Sequence, residues 1–447
     1  MPDLYARLGA AASRKVRARS AAFAVVVALA ATGSPALPQQ PSQPQITGVV
    51  TGEGFTPIRI ALPTADAAAS AAGPAQELVE TLRDDLRFVG FFDVVDPSLY
   101  HLVPPAKADA VPYDEWRSIG ADSLVLGRVS LQGERIDLEA RLYDNPNRTL
   151  VFARRYGGGT DLARRIAHQL SDDLVRHFTG RPGVALSRIA FCSKHGDGKE
   201  IYLMDYDGRR LRRLTTSGTL NLSPVWSPDG ERLAFVSWRS GRPAIYVMDS
   251  DGKTNRVATA GGDLNSAPAW SPDGRRIVYN SDVDGNSEIY VVELGTGRNT
   301  RLTHTPGIET SPSFSPNGRE IAFTSDRSGS PQVYIMDAEG LNARRVSSEG
   351  EFNDSASWSP QGDRLAFVSR REGRFDIVVL NLASGAMSRL THGEGSNEDP
   401  RWAGDGRHLV FASNRSGGWQ IYTMAADGSD ARQLTRGSDS FTPDWSR

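Results

Sequence analysis

The sequence predicts an all-β six-bladed propeller at the C-terminal end of the chain, preceded by a small α/β domain, and three observations carry that reading. Large aromatic residues recur on a fixed beat: Trp226, Trp270, Phe314, Trp358, Trp402 and Trp445 lie 44, 44, 44, 44 and 43 residues apart. Short apolar runs keep the same beat, as in Ile189-Ala190-Phe191, Leu233-Ala234-Phe235 and Ile277-Val278-Tyr279, and again in Ile201-Tyr202, Ile245-Tyr246 and Ile289-Tyr290. Upstream of them the apolar period changes to that of helices, with Leu162, Ile166, Leu170, Leu174 and Phe178 recurring every fourth residue.

Four short β-rich runs in a unit of 44 residues are the sequence pattern of a propeller blade, and six units place the propeller at 184–447. The turns fit. Ser227-Pro228-Asp229-Gly230 and Ser271-Pro272-Asp273-Gly274 put Pro second and Gly fourth, as a type I turn prefers. Asp207-Gly208, Asp251-Gly252 and Asp427-Gly428 suit the hairpins between third and fourth strands. The repeat opens on a second strand at Ile189 and ends on a first strand at 442–446. A strand from the C-terminus is therefore expected to complete the blade begun at residue 188, closing the ring and removing its free edges.

Residues 58–183 predict two helices on a mixed, mostly antiparallel sheet. Gln76 to Gly90 places Leu78, Leu82, Leu86 and Val89 on one helical face, and 160–179 carries the stronger stripe behind Thr160 and Asp161. Strand candidates are 91–96, 121–132, 134–144 and 150–157; in the third, Ile136, Leu138, Ala140 and Leu142 alternate with polar residues.

The first 36 residues predict a cleavable signal peptide. Arg7, Arg14, Lys15, Arg17 and Arg19 form a basic start, 21–31 is a short apolar core, and Ser34-Pro35-Ala36 offers small residues at a cleavage site. The apolar run is too short to span a bilayer, and the mature chain is expected to have no membrane span. Removing these residues takes away five basic residues and one acidic one, a net of four positive charges, and moves the formal charge from −2 to −6. That balance argues against nucleic acid as a partner. Residues 37–57 then read as a flexible Pro- and Gln-rich lead-in followed by the short β-prone run Ile46-Thr47-Gly48-Val49-Val50. Cys192 is the one cysteine and sits in an apolar run, so it reads as a buried, inert thiol.

A search for chemistry finds no catalytic residues, no metal ligand set and no cofactor site. There is no Gly-x-Ser-x-Gly elbow, and the seven histidines show no metal-binding spacing. The Gly157-Gly158-Gly159 run reads as a strand-to-helix turn, and Asp205-Tyr206-Asp207-Gly208 as a hairpin. What remains is a recognition surface. The loops leading into the first strands carry Asn221, Asn265, Glu309, Glu349, Asn353, Asp354, Asn397, Glu398 and Asp399; all precede the same repeated strand, so the symmetry puts them on one face around the central channel. A ring of acceptors there is suited to a partner's donors, and joint replacement of Asn353 and Asp354 is expected to weaken binding while sparing stability. Other readings remain: a peptidoglycan- or peptide-binding propeller, or a propeller enzyme.

The motifs Trp226-Ser-Pro-Asp-Gly230, Ser325-Asp-Arg-Ser-Gly329 and Ile245-Tyr-Val-Met-Asp249, behind a signal peptide and a small α/β domain, resemble the TolB family, a periplasmic component of the Tol–Pal system. Departures are local: Phe314 replaces Trp, Ala356 replaces Pro, and Trp402-Ala-Gly-Asp-Gly loses Ser-Pro. The resemblance implies a non-enzymatic adaptor supporting outer-membrane integrity and constriction at division. It implies that the lipoprotein Pal binds the propeller, at Glu309, Glu349, Asn353, Asp354, Asn397 and Glu398, and that TolA binds Ile46, Thr47, Gly48, Val49 and Val50. Other outer-membrane or periplasmic proteins are conceivable further partners.

Overall fold

The computed structural model describes residues 56–446 except 254, 260 and 263. The N-terminal domain contains strands β1 (Ile58–Ala61), β2 (Asp66–Ala67), β3 (Phe92–Val94), β4 (Ser123–Gln132), β5 (Arg135–Asp144) and β6 (Thr149–Gly159), with helices α1 (Ala72–Phe88), α2 (Tyr113–Ser118) and α3 (Ala163–Thr179). The sheet order is β3-β1-β4-β5-β6, with β2 against β4. The sheet is mixed: β1 runs parallel to β3 and β4, while the longer β4–β5 and β5–β6 ladders are antiparallel.

Burial follows the apolar period. Leu78, Leu82 and Leu86 of α1 and Ile166, Leu170 and Leu174 of α3 are buried with Ile136, Leu138, Ala140 and Leu142 of β5 in one core. Gly180, at φ 69°, ends α3 in the left-handed conformation that glycine adopts without a Cβ penalty. At the other end of α3, Thr160–Leu162 form a single 3-10 turn before the helix proper.

The C-terminal part is a six-bladed propeller of four-stranded antiparallel sheets. Blade 2 is typical: Asn221–Trp226 lines the channel, followed outward by Arg232–Ser237, Ala244–Asp249 and Asn255–Val257. Blade 1 is composite, because Ser440–Trp445 pairs with Arg188–His195 in the register Trp445 opposite Ile189. Each Ser-Pro-Asp-Gly turn is held by its own serine: Ser227 Oγ donates to the Arg232 carbonyl at 3.0 Å, and Gly230 N–H donates to the Ser227 carbonyl at 2.9 Å. Between blades, Arg188, Arg232 and Arg364 lie over the rings of Trp226, Trp270 and Trp402 at 4.7, 4.8 and 4.6 Å. Arg276 occupies the same place over Phe314, so the aromatic exchange keeps the packing.

The α/β domain docks at the end of the channel where these tryptophans lie. Phe88 stacks on His408 at 4.4 Å, and its carbonyl faces His408 Nε2 at 3.0 Å. Arg407 lies over Phe91 at 3.9 Å. Asp85 of α1 sits within hydrogen-bond reach of His168 Nδ1 on α3 (2.8 Å) and accepts from Tyr206 OH on the propeller (2.6 Å), while Arg164 pairs with Asp207 at 2.5 Å. The Asp207-Gly208 hairpin thus also anchors the domain. Among the described residues no helix is long and apolar enough to cross a membrane.

Candidate partner-binding mouth of the propeller

The channel is shaped by one recurring irregularity. Each inner strand breaks register once, and the residue at the break is left-handed although it is not glycine: Ser223, Ala267, Ser311, Ser355, Asp399 and Thr442. Such a conformation costs on the order of 1 kcal/mol per residue, and a bulge re-aims the neighbouring side chain. Five of the six are followed by proline (Pro224, Pro268, Pro312, Pro400 and Pro443), which brings no N–H for the broken ladder to satisfy. The bulged residues, with Pro224, Pro268, Pro312, Pro443 and Arg401, line a constriction of about 120 Å³.

One step toward the free end, opposite the docked α/β domain, the inner strands present Leu222, Ser266, Thr310, Asp354, Glu398 and Phe441, all half-buried. This ring is lopsided. Asp354, Glu398 and the adjoining Asp399 make one side acidic, while Leu222 and Phe441 make the other apolar. The surrounding loops add Leu220, Val283 and Ile308, which are 37%, 47% and 53% exposed. The mouth therefore combines a negative sector with an apolar one, where Lys199 lies over the Phe441 ring at 3.8 Å.

The carboxylates lie close enough to influence each other. Ser355 Oγ donates to Asp399 at 3.4 Å, and Asp354 accepts from Thr324 Oγ1 at 2.7 Å. Burial, reinforced by the charges of Asp399 and Asp354, pushes Glu398 up to about 7. Burial also raises Asp399, against the pull of Arg401. A carboxyl that keeps its proton longer in the folded than in the unfolded chain favours folding most at low pH. That contribution is lost as pH rises from the ordinary 4.5 through about 7. Glu398→Gln should therefore match the parent's melting temperature below pH 4.5 and exceed it above pH 7. A variant less stable than the parent at alkaline pH would contradict this account of the acidic sector.

The structure separates the residues expected at the rim. Glu309, Asn353 and Asn397 are fully buried, as are Asn221 and Asn265. They tie each blade to its neighbour. Asn353 Nδ2 donates to Gln332 Oε1 of the preceding blade (2.8 Å) and to the Glu349 carbonyl (2.7 Å), and Ser347 Oγ donates to the same Gln332 oxygen. Asn221 Nδ2 repeats the pattern on Glu200 at 2.9 Å, and Asn397 Oδ1 accepts from Ser413 and Arg415. Glu309 accepts from Thr305, Ser325 and Arg327. These three were expected to read a partner; the structure places their side chains in the blade interior, where polar groups need partners. Glu349 is exposed and paired with Arg371. Of the expected set, Asp354 and Glu398 belong to the half-buried ring at the channel mouth, with Asp399 adjoining them.

The joint Asn353/Asp354 replacement must accordingly be split. Asn353→Ala removes the donor that Gln332 accepts and should cost about 1–3 kcal/mol in denaturant unfolding. Asp354→Ala, at a half-exposed position, should cost less than about 1 kcal/mol. Equal losses would mean that Asp354 also builds the blade.

Ile46, Thr47, Gly48, Val49 and Val50 lie outside the described residues, as does the expected signal peptide. Cys192 is buried. Among the described residues no group of three or more His, Cys, Asp or Glu is arranged to hold a metal ion.

Comparison with known proteins gives a consistent answer. The TolB amino-terminal domain family matches residues 47–151, and the TolB β-propeller domain family matches 175–378 and 352–447. The Tol-Pal system protein TolB of Geobacter sulfurreducens is 39% identical over 159 residues, 36% of this chain and 37% of that one. The protein of the same name from Roseobacter denitrificans is 33% identical over 215 residues, 47% of this chain and 48% of that one. These matched stretches thus span less than half the length of either relative. In structure, TolB from Acinetobacter baumannii superposes with a TM-score of 0.78 at 26% identity, covering 88% of this chain and 97% of that one. With its amino-terminal domain and its propeller each matched by the corresponding family, the chain belongs to the TolB family.

Proposed function

We propose that this protein is a non-enzymatic periplasmic adaptor of the Tol–Pal system, exported by a cleavable signal peptide. In this reading the lipoprotein Pal seats on the propeller mouth and TolA takes the N-terminal segment, and the assembly supports outer-membrane integrity and constriction at division. The observation that carries it is the lopsided mouth, acidic at Asp354, Glu398 and Asp399 and apolar at Leu222, Phe441, Val283 and Ile308, on the face that the α/β domain leaves open. Such a surface can meet a partner's donors on one side and bury its apolar side chains on the other. The tapering, proline-lined channel suits an inserted loop better than a large substrate.

The N-terminal half of the proposal rests on Ile46-Thr47-Gly48-Val49-Val50, a β-branched run able to add to the edge of a partner's sheet. Deleting 37–51 from the exported protein should abolish capture of TolA while binding of the soluble domain of Pal survives. Retention of TolA by the deleted form would place its site elsewhere.

A further inference from the structure

A second site lies at the opposite end of the molecule, between α3 and blade 1. A cleft of about 800 Å³ is lined there by Arg165 and His168 of α3, Arg188 at the start of the blade, Arg210 from the turn before its outermost strand and Arg212 at the start of that strand. Asp205 is the one carboxylate in this lining, against four arginines, in a chain whose formal charge is −2. The cations are close enough to feel one another: burial lowers Arg188, and the charges of Arg212 and Arg165 lower it further. Arg210 bears electrostatically on Asp205, while among the described residues Arg165 has no carboxylate within ion-pair distance. Arg188 and Arg212 spend one donor each on the backbone carbonyls of Gly230 and Ser250, and the Arg188 guanidinium also lies over the Trp226 ring. The remaining wall is apolar, formed by Ala185, Leu186, Leu203, Met204 and Leu211, of which Leu186 and Leu211 are 44% and 59% exposed.

Gathering like charges around a cavity is unfavourable unless something of opposite charge enters it. Guanidinium forks pair with oxyanions through two parallel N–H donors, and a phosphate dianion would offset two of the excess positive charges. Residues 37–55 of the same chain bring a single carboxylate, Glu53, so the lead-in is poorly matched to this charge. We propose that the cleft binds a phosphate monoester, with the phosphate between Arg165, Arg188, Arg210 and Arg212 and its organic substituent against Leu186, Leu203 and Leu211. The site is separate from the channel mouth and independent of the reading proposed for it.

Calorimetric titration of the exported protein with hexyl phosphate and with inorganic phosphate tests this. Saturable one-to-one binding of hexyl phosphate is expected. It should weaken by roughly tenfold or more in the variant Arg165→Gln, Arg210→Asn, since each lost charged hydrogen bond is worth about as much as a tenfold change in affinity. Asparagine is chosen at position 210 because the backbone there is left-handed, at φ 55°. The double variant should melt at or above the parent's temperature in the absence of ligand; if it does not fold, Arg165→Gln alone, at an exposed helix position, carries the test. Tighter binding of hexyl phosphate than of inorganic phosphate supports an amphiphile as the ligand, and equal affinity supports free phosphate at the same site. No saturable binding of either anion, or unchanged binding by the folded variant, overturns the proposal.

Discussion

Removal of residues 440–447 is expected to abolish cooperative folding of the propeller. The deleted strand is the channel-lining member of blade 1, and its loss exposes the whole edge of Arg188–His195. Trp445, 3% exposed, donates its indole N–H to Ser187 Oγ at 2.7 Å and approaches Phe88 of α1 at 6.3 Å. Ser446 N–H donates to the Arg188 carbonyl, and its Oγ accepts from Arg188 N–H, both at 2.8 Å. Trp445→Ala alone should cost about 3–5 kcal/mol, and the deletion more. Urea unfolding of both variants checks this. A truncated protein with a sharp transition near that of the parent would mean that ring closure contributes little.

Asp85→Ala should have the next largest effect, on the order of 3–5 kcal/mol, because it orphans two buried partners on different elements. His168 and Tyr206 both converge on this carboxylate, which is 1% exposed, from α3 and from the propeller respectively. Burial raises the Asp85 pKa, while the hydrogen bonds from His168 and Tyr206 pull it back. Asp85→Asn keeps an acceptor for the Tyr206 hydroxyl and should be milder. A double-mutant cycle with Tyr206→Phe isolates the contact between domains. A coupling energy near zero would show that the Asp85–Tyr206 contact adds nothing to the docking already provided by Arg164–Asp207, by His408 on Phe88 and by the apolar contacts.

The propeller was legible because its determinants are local and repeated. Trp226 and its counterparts, the Ser-Pro-Asp-Gly turns and the apolar triplets each fall at one register, and the closing strand follows from where the repeat begins and ends. The long helices of the α/β domain were legible for a related reason, since α1 and α3 each extend over four turns of an apolar stripe. Strand β1 was missed: Ile58–Ala61 is too short to show alternation, and its parallel partners β3 and β4 are far along the chain. Helix α2, six residues behind Pro112, has no full stripe to display.

The candidate site was only partly readable. Asn353 and Asp354 are adjacent polar residues in sequence, and successive residues of a strand point to opposite faces. One therefore ties blade 5 to Gln332 while the other reaches the channel. The repeated Thr or Ser that opens each blade-closing loop, such as Ser347 and Thr391, was the available sign that a buried polar network accompanies the Asn positions. Leu220, Val283 and Ile308 carry no repeat signal, so their convergence on the mouth emerges only from the fold. The Asp85–His168–Tyr206 cluster joins residues 83 and 121 positions apart and has no local pattern at all.

The most direct test of the adaptor reading is a calorimetric titration of residues 37–447 with the soluble domain of Pal from the same organism, repeated with Asp354→Ala, Glu398→Gln. Saturable one-to-one binding by the parent, weakened in a variant that remains folded, is the predicted result. No binding by a folded parent, or equal binding by the variant, would contradict the mouth as the site where the partner is read.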